Sequence, residues 1–364
     1  MDDPNSTSFS LKFDDNLLTD LSNYTGYDYD NSFEVNSKAF ACLMEPMDQV
    51  VHIFMCSFYT VIFLLALPGN LIVGLVIGSS KQALSTSDLF LFHLAVADIL
   101  LALTLPISAA SLIHGWVFGN FMCKLVSVVQ EVNFYSSILF LVCISVDRYL
   151  VIVHAMEARK EDRRLWSWVM CGVVWAAGIL LALPVGFNEV GSFRGLDHMT
   201  CAESFDPKEA PLWRLSTRLL RHTLGFLLPL VIMLACYGIT VARLLRTRGF
   251  QKQRAMRVIV AVVLAFLLCW MPYHISMIAD TLMRFHLVNY GCKARLAVDR
   301  AMFSTQSLGL LHCCINPVLY AFIGEKFRKN LLQLICRKKG LEHGSGSRIS
   351  RSTSQTSEAS SPVM

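Results

Sequence analysis

Several polar side chains lie inside strongly apolar stretches, where they could bind a cation. Asp98, in HLAVADILLA, is the deepest. A charge at the middle of a membrane helix costs at least about 2.5–3.5 kcal/mol, so such a residue is a functional candidate. Residues four apart share a helix face, and facing polar groups either hold an ion or satisfy each other's hydrogen bonds between helices. The predicted cage, large enough for a hydrated sodium ion, consists of Asn70, Asp98, Asn133, Ser137, His312 and Asn316.

Two adjacent opposite charges, Asp147 and Arg148, close an unbroken apolar run from Phe140 to Ile144. Such a pair either reaches the polar membrane interface or forms a charge-assisted bond that has a function. Spacing alone leaves both alternatives open.

Charges also crowd the expected outer ends of two spans. Arg214 and Arg218 are four apart and precede Arg221, and Asp280 and Arg284 are likewise four apart. This pattern predicts a cationic edge that faces an acid-bearing edge across the mouth of a helix bundle. The alternative is a set of solvated rim charges, worth about 0–1 kcal/mol each.

The elements that must position these residues are membrane spans. The chain has 364 residues, of which 54% are hydrophobic and 16% charged. An apolar helix of about 20 residues crosses the hydrocarbon core, and short connections make neighbouring spans antiparallel. We predict an all-α membrane protein, a seven-transmembrane helix bundle over residues 50–323. Its spans run approximately over residues 50–78, 86–112, 121–153, 165–187, 213–245, 252–283 and 297–322.

Charge asymmetry sets the orientation of the bundle. Residues 1–49 carry ten acids and two bases, whereas the loop Arg243–Arg257 carries six bases and no acid. We expect an acidic extracellular N-terminal tail over residues 1–49, a cytoplasmic C-terminus and a multi-pass protein of the plasma membrane. The first span would act as an uncleaved signal. The net charge of +5 hides this split and does not indicate nucleic-acid binding.

Both ends carry candidate modification sites. Asn5 and Asn23 begin glycosylation motifs on the expected outer side. Residues 324–338 are predicted to form an amphipathic helix 8 against membrane lipid, and Cys336 is a palmitoylation candidate. Residues 339–364 are rich in Ser and Thr, so we expect a disordered cytoplasmic tail that suits regulation by kinases.

Four of the twelve cysteines lie outside the bundle or at its outer ends, where disulfides are expected. Three pairings are possible. Cys123 starts the third span and Cys201 precedes the fifth, while Cys42 precedes the first and Cys292 the seventh. We predict the bridges Cys123–Cys201 and Cys42–Cys292. The cysteines within spans, predicted to be small packing residues, are Cys56, Cys143, Cys171, Cys236, Cys269, Cys313 and Cys314.

The general class is a choice between a transporter and a receptor. The spans contain one mid-membrane acid and no series of ionisable residues that could line a path for a solute. The sequence also has no internal repeat, so a transporter is disfavoured. The sequence has no Ser-His-Asp spacing, metal-ligand cluster or glycine-rich phosphate loop, so we predict no enzyme activity and, apart from sodium, no cofactor.

The ordered motifs, one per helix, resemble the rhodopsin-class G-protein-coupled receptors over roughly residues 50–330. They are GNLIV with Asn70, LAVAD ending at Asp98, DRYLVIVHA from Asp147, Trp175, Pro229 with Tyr237, CWMPYH with Trp270 and Pro272, and NPVLY from Asn316 to Tyr320.

The resemblance implies a cytoplasmic latch and a switch. Asp147 would hold Arg148 at rest, and outward movement of the sixth helix would free Arg148 for the G protein. Trp270 above Pro272 resembles the family's toggle; a core-packing tryptophan is the alternative. The implied switch and coupling residues are Asp147, Arg148, Tyr149, Tyr237, Trp270, Pro272, Asn316, Pro317 and Tyr320.

Narrower motifs resemble the CXC chemokine receptors, closest to the interleukin-eight-type receptors. They include Thr104-Leu105-Pro106, the His154-Ala155 end of DRYLVIVHA and the pairing Cys42–Cys292. The resemblance implies a secreted basic CXC chemokine as ligand and an inhibitory-class heterotrimeric G protein. It also implies leukocyte chemotaxis, calcium signalling, and receptor kinases with arrestin at the Ser/Thr-rich tail.

Ligands of that branch present Glu-Leu-Arg. By charge, the ligand glutamate would meet Arg214 or Arg218, and the ligand arginine would meet Asp280. Ser108 and Gln306 depart from the branch, which usually has Trp and Glu there, so its ligand selectivity does not transfer directly to this chain. The alternative is a CXC receptor for ligands without Glu-Leu-Arg. Sulfation of the tail tyrosines would favour a basic ligand. The predicted ligand-binding residues are Tyr24, Tyr27, Tyr29, Asp28, Asp30, Arg214, Arg218, Asp280, Arg284 and Gln306.

Overall fold

The fold is a bundle of helices that lie at the predicted spans. The computed structural model describes residues 49–79, 84–153, 160–192, 198–204, 208–245, 250–285, 287–288, 291–323 and 327–334. The first four helices are α1 (Gln49–Gly78), α2 (Thr86–His114), α3 (Gly119–Val153) and α4 (Lys160–Ala182), the last continued by a 3₁₀ turn, Leu183–Phe187. The later ones are α5 (Ala210–His222, a π-helical turn Thr223–Leu227, and Leu228–Leu245), α6 (Phe250–Arg284), α7 (Cys292–Gly309 and His312–Ile323) and α8 (residues 327–334).

Among the described residues, six helices are long and apolar enough to cross a membrane by length and composition. The seventh predicted span is α7, which is divided near Leu310 and Leu311. Its N-terminal part carries Arg295 and Asp299, which lowers its hydropathy, but these charges pair with each other and with α6 inside the bundle. The seven-span prediction is therefore confirmed, with an interrupted final span.

The core and the outer surface of the bundle are both apolar. Large buried side chains such as Leu105, Ile138 and Phe140 fill the interior. Exposed leucines such as Leu64 and Leu268 lie on the outer surface. An apolar surface on both sides of the helices is what a bilayer requires, because lipid tails replace water there.

Local sequence fixes the ends and bends of α2. Ser85 and Asp88 form a reciprocal capping box in which each side chain accepts the other's backbone N–H at 3.2 Å. Pro106 lies within the helix, and the Thr104 hydroxyl donates to the Leu101 carbonyl at 2.7 Å. Both residues belong to the Thr104-Leu105-Pro106 motif noted in the sequence.

The π-helical turn in α5 has a local cause. Pro229 has no backbone N–H, and in a regular helix its ring would collide with the carbonyl of Gly225. The Leu228 N–H instead reaches the Thr223 carbonyl, five residues back. A Cβ at Gly225 would lie 2.6 Å from Phe134 Cε1, so glycine also allows α5 to approach α3 closely.

A two-stranded antiparallel sheet, which the all-α prediction did not include, lies between α4 and α5. Strands β1 (Asn188–Ser192) and β2 (Met199–Glu203) pair with Val190 opposite Cys201. The bridge Cys123–Cys201 ties β2 to the start of α3, which confirms that predicted pairing. The seven cysteines predicted to lie within spans are all free.

Candidate functional site

We call the end of the bundle that carries the two-stranded sheet the outer end and the opposite end the inner end. The outer end holds a buried cluster of charges centred on Asp280. This side chain is 0% exposed. Its carboxylate accepts hydrogen bonds from Nη2 of Arg218 on α5 at 2.5 Å and from Nε of Arg284, one turn along α6, at 2.8 Å. It also binds Arg295 of α7. Arg295 in turn binds Asp299 at 2.7 Å. Three arginines around two carboxylates leave an excess positive charge at the mouth of the bundle.

The cationic and acidic edges predicted from the sequence are therefore in direct contact. Arg218 of α5 bonds to Asp280 and, at 2.9 Å, to the hydroxyl of Thr281. Arg214 lies on the same edge and pairs with Glu203 of β2 at 3.5 Å. A ligand that enters this end meets charges that already have partners.

Sequence reasoning missed Arg295, Asp299 and Glu131. Arg295 and Asp299 are four apart, the same spacing that identified the pairs on α5 and α6, so that signal was present in the sequence. Glu131 of α3 is 8% exposed and binds Arg221 of α5. Nothing in the local sequence identifies this partner, because it lies 90 positions along the chain.

Beside the charge cluster, a cavity of about 550 Å³ lies between the outer ends of α1, α2, α3 and α7. Ser108 and Gln306, the two departures from the resembled branch, both line it. Gln130 donates to the hydroxyl of Ser108 at 3.2 Å and to that of Thr104 at 3.1 Å. With Ser at 108 and Gln at 306, the polar side chains that line the cavity are mainly uncharged, Asp299 and Arg300 excepted.

Trp270 lies deeper, at the centre of an aromatic cluster. Its ring centroid is 4.7 Å from that of Phe134 and 5.8 Å from those of Tyr273 and His312. A Cβ at Gly309 would lie 2.9 Å from the indole, so α7 packs on Trp270 without a side chain between them. Pro272 lies two residues further along α6. The indole therefore contacts α3 and α7 at once.

Asp98 is fully buried and lies where the faces of α2, α3 and α7 converge. Its two carboxylate oxygens accept hydrogen bonds, one from Asn133 Nδ2 at 3.3 Å and one from Asn316 Nδ2 at 2.8 Å. His312 Nε2 is 3.7 Å from Oδ1. Asn133 also donates to Ser137 at 3.3 Å, which confirms the predicted shared face.

The sixth predicted member of the cage, Asn70, makes a different contact. Its amide donates to the carbonyl of Cys313 at 2.8 Å and so joins α1 to α7. Asn70 Oδ1 and Asn133 Oδ1 are buried and have no hydrogen-bond partner in the described structure. Among the described residues, no group of three or more His, Cys, Asp or Glu could hold a metal. A cation here would thus rely on one carboxylate and neutral oxygens.

At the inner end of α3, Asp147 Oδ2 lies 4.0 Å from Arg148 Nε and accepts the hydroxyl of Ser87 at 2.6 Å. Nearby, the hydroxyl of Ser145 donates to that of Tyr237 at 2.8 Å. Tyr149 is partly buried on the same helix. The predicted latch partners are thus neighbours, and Asp147 is additionally tied to α2.

The NPVLY segment lies on the inner part of α7. Pro317 is buried, and a Cβ at Gly69 would lie 3.0 Å from its ring, so α1 and α7 are close there. The backbone of Tyr320 is helical, but its side chain lies outside the described residues. The other predicted residues outside the described part of the chain are Asn5, Asn23, Tyr24, Tyr27, Asp28, Tyr29, Asp30, Cys42 and Cys336, so the Cys42–Cys292 bridge stays a prediction.

Comparison with known proteins gives a consistent result. The family profile described as 7 transmembrane receptor (rhodopsin family) matches residues 69–320. The C-X-C chemokine receptor type 2 of Homo sapiens is 49% identical over 282 residues, which cover 78% of this chain and 78% of that protein. The C-X-C chemokine receptor type 1 of Oryctolagus cuniculus is 48% identical over 281 residues, 77% of this chain and 78% of that protein.

Proposed function

The chain belongs to the rhodopsin family of seven-transmembrane receptors, and within it to the C-X-C chemokine receptors; on that premise we propose that it binds a secreted basic CXC chemokine and activates an inhibitory-class heterotrimeric G protein. Leukocyte chemotaxis and calcium signalling would follow from that coupling. The observation that carries the proposal is the identity of almost one half to receptors so named, over more than three quarters of the chain.

The outer charge cluster supports a ligand that carries an acid. Arg218, Arg284 and Arg295 surround Asp280, so the cluster has positive charge that its carboxylates do not cancel. A ligand carboxylate that approaches Arg218 or Arg214 would complete the pairing of charges in a partly desolvated site, where charge-assisted bonds are strong. We propose that the glutamate of a Glu-Leu-Arg ligand binds there and that the cavity beside Gln306 receives other ligand groups.

The same geometry favours a second candidate, a CXC receptor for ligands without Glu-Leu-Arg. Asp280, proposed to receive the ligand arginine, is buried and already has three arginine partners. A ligand arginine must displace one of them, and breaking a buried pair carries a large desolvation cost.

A panel of CXC and CC chemokines, tested for inhibitory G-protein activation in cells that express this chain, tests both candidates. Response to a Glu-Leu-Arg chemokine, lost when that segment is deleted and impaired by Arg218→Ala and Asp280→Asn, supports the first candidate. An equal response to the ligand without the segment supports the second. Glu189→Gln, which breaks an exposed rim pair with Lys124, is the matched control. Failure of every chemokine would contradict the proposal, and solute flux in proteoliposomes would then favour a transporter.

We propose an orientation with the N-terminus outside the cell and the C-terminus in the cytoplasm, in the plasma membrane. It rests on the charge asymmetry of the tails and loops. In this orientation Arg148 faces the G protein, and the acidic tail with its tyrosines faces a basic ligand. The Ser/Thr-rich C-terminal tail would be available to receptor kinases and arrestin.

We also propose that the cage around Asp98 binds sodium. Asp98 is fully buried, and its ion-pair partner among the described residues is His312, which is charged only when protonated. The unpartnered, buried Asn133 Oδ1 and the hydroxyl of Ser137 fit a hard cation, which prefers oxygen ligands. Sodium held there would compensate the buried carboxylate.

A further inference from the structure

A second buried ion pair, deeper than the Asp280 cluster, joins three helices. Arg221 of α5 donates Nε to Glu131 Oε1 of α3 at 3.0 Å, and its Nη2 binds the other carboxylate oxygen. The remaining guanidinium nitrogen, Nη1, donates to the hydroxyl of Tyr273 of α6 at 2.5 Å. All three nitrogens of Arg221 and both oxygens of Glu131 are thus in use. We call Glu131, Arg221 and Tyr273 the clasp.

The π-helical turn accounts for the position of the clasp. It begins two residues after Arg221, and Gly225 within it lies against Phe134 of α3. The adjacent His222 contacts α6 as well, with its Nδ1 2.9 Å from Nδ1 of His274. Two consecutive residues of α5 therefore contact two consecutive residues of α6, which fixes both the rotation and the spacing of these helices.

The clasp lies next to the aromatic cluster around Trp270. The guanidinium carbon of Arg221 is 5.7 Å from the ring centroids of both Phe134 and Tyr273. Those two rings contact Trp270 at 4.7 Å and 5.8 Å. Movement of Arg221 would therefore change the packing of Trp270 through two contacts.

The pairing within the clasp also indicates its role. Each guanidinium nitrogen of Arg221 and each carboxylate oxygen of Glu131 already has a partner inside the bundle, an arrangement that suits a contact between helices better than a ligand or metal site. A buried ion pair contributes little net stability compared with apolar residues, because desolvation offsets most of the attraction. Its directional bonds do select one arrangement of the helices over others.

We propose that the clasp holds the receptor in its signalling-inactive arrangement by fixing α5 to α3 and α6 beside Trp270, so that Glu131 and Arg221 are positioning residues that set basal activity. This inference rests on the proposed G-protein coupling. A movement of α6 away from α5 would separate Arg221 from Tyr273, and loss of either charge would remove the barrier to that movement.

A double-mutant cycle tests the clasp, with Glu131→Gln, Arg221→Gln and the double variant in membranes with G protein. Basal nucleotide exchange should rise about tenfold in each single variant, equivalent to about 1.4 kcal/mol. The double variant should exceed neither single variant, because both act by removing the same bond. Tyr273→Phe, which removes one hydroxyl, should give a smaller rise, and Glu189→Gln should give none.

Three outcomes separate this inference from the proposed function. Basal exchange unchanged in the variants, with a normal chemokine response, would overturn the clasp while leaving the receptor function intact. Additive effects in the double variant would also overturn it. If the wild-type protein activates no G protein, the clasp is tested by the distance between spin labels at two exposed residues, Val241 of α5 and Leu264 of α6. An increase in the variants supports the clasp, and an unchanged distance overturns it.

Discussion

Gly309→Ala tests whether Trp270 is a switch or only a packing residue. The new Cβ would lie 2.9 Å from Cε3 and Cζ3 of the indole and 3.0 Å from Cδ2. Carbon atoms pack best at about 3.5–4.0 Å, so the ring must move by about 0.6 Å or more. Phe134, Tyr273 and His312 lie around the ring, so this movement requires their displacement as well.

The magnitude follows from two opposing effects. Overpacking a core costs about 1–3 kcal/mol, and replacing glycine by alanine in a helix returns about 0.5–1 kcal/mol. The net cost of about 0–2.5 kcal/mol would fall on the arrangement with Trp270 in its present position. If another arrangement relieves the clash, its population relative to the present one rises by up to roughly 60-fold, at about 1.4 kcal/mol per factor of ten.

The assay is ligand-independent nucleotide exchange in membranes, together with the midpoint of thermal unfolding in detergent. Gly238→Ala in α5 is the matched control, since a Cβ there meets no atom within 4 Å. We expect higher basal exchange for Gly309→Ala and no change for Gly238→Ala. A lower unfolding midpoint for Gly309→Ala with wild-type exchange would refute the switch and identify Trp270 as a core-packing residue.

Three further predictions concern the rest of the signalling path. Arg148→Ala should abolish nucleotide exchange while labelled chemokine still binds, and undiminished exchange would contradict the latch. Residues 1–30 carry seven acids and one base, and their removal should weaken chemokine capture. It should also flatten the salt dependence of capture, because salt screens exposed charges beyond about 8–10 Å. Unchanged affinity would exclude the tail as a docking site. Sodium should lower agonist affinity by favouring the resting state, and Asp98→Asn should remove this effect. Potassium and choline at equal ionic strength are the controls. An identical response to all three cations would leave hydrogen bonding as the role of Asp98.

The sequence alone determined the number and place of the helices. Hydrophobic length sets where a chain can cross a bilayer, so the predicted spans agree with the helices to within a few residues, apart from the outer start of α7. Spacing of four predicted contacts within one helix, such as Asn133 with Ser137 and Asp280 with Arg284. The position of cysteines relative to the spans predicted the bridge Cys123–Cys201.

Only the tertiary structure decided which residues on neighbouring helices pair with these side chains. Spacing places residues on a helix face but does not give the rotation of that helix relative to its neighbours. The pairing of Asp280 with Arg218 and Arg295 depends on that rotation, as does the pairing of Glu131 with Arg221 across 90 positions. The π-helical turn changes the rotation of α5 by adding a residue to one turn. Spacing in the sequence identified Arg214, Arg218, Asp280 and Arg284, whereas the packing of the helices added Arg295 and Asp299 and determined which of these charges pair.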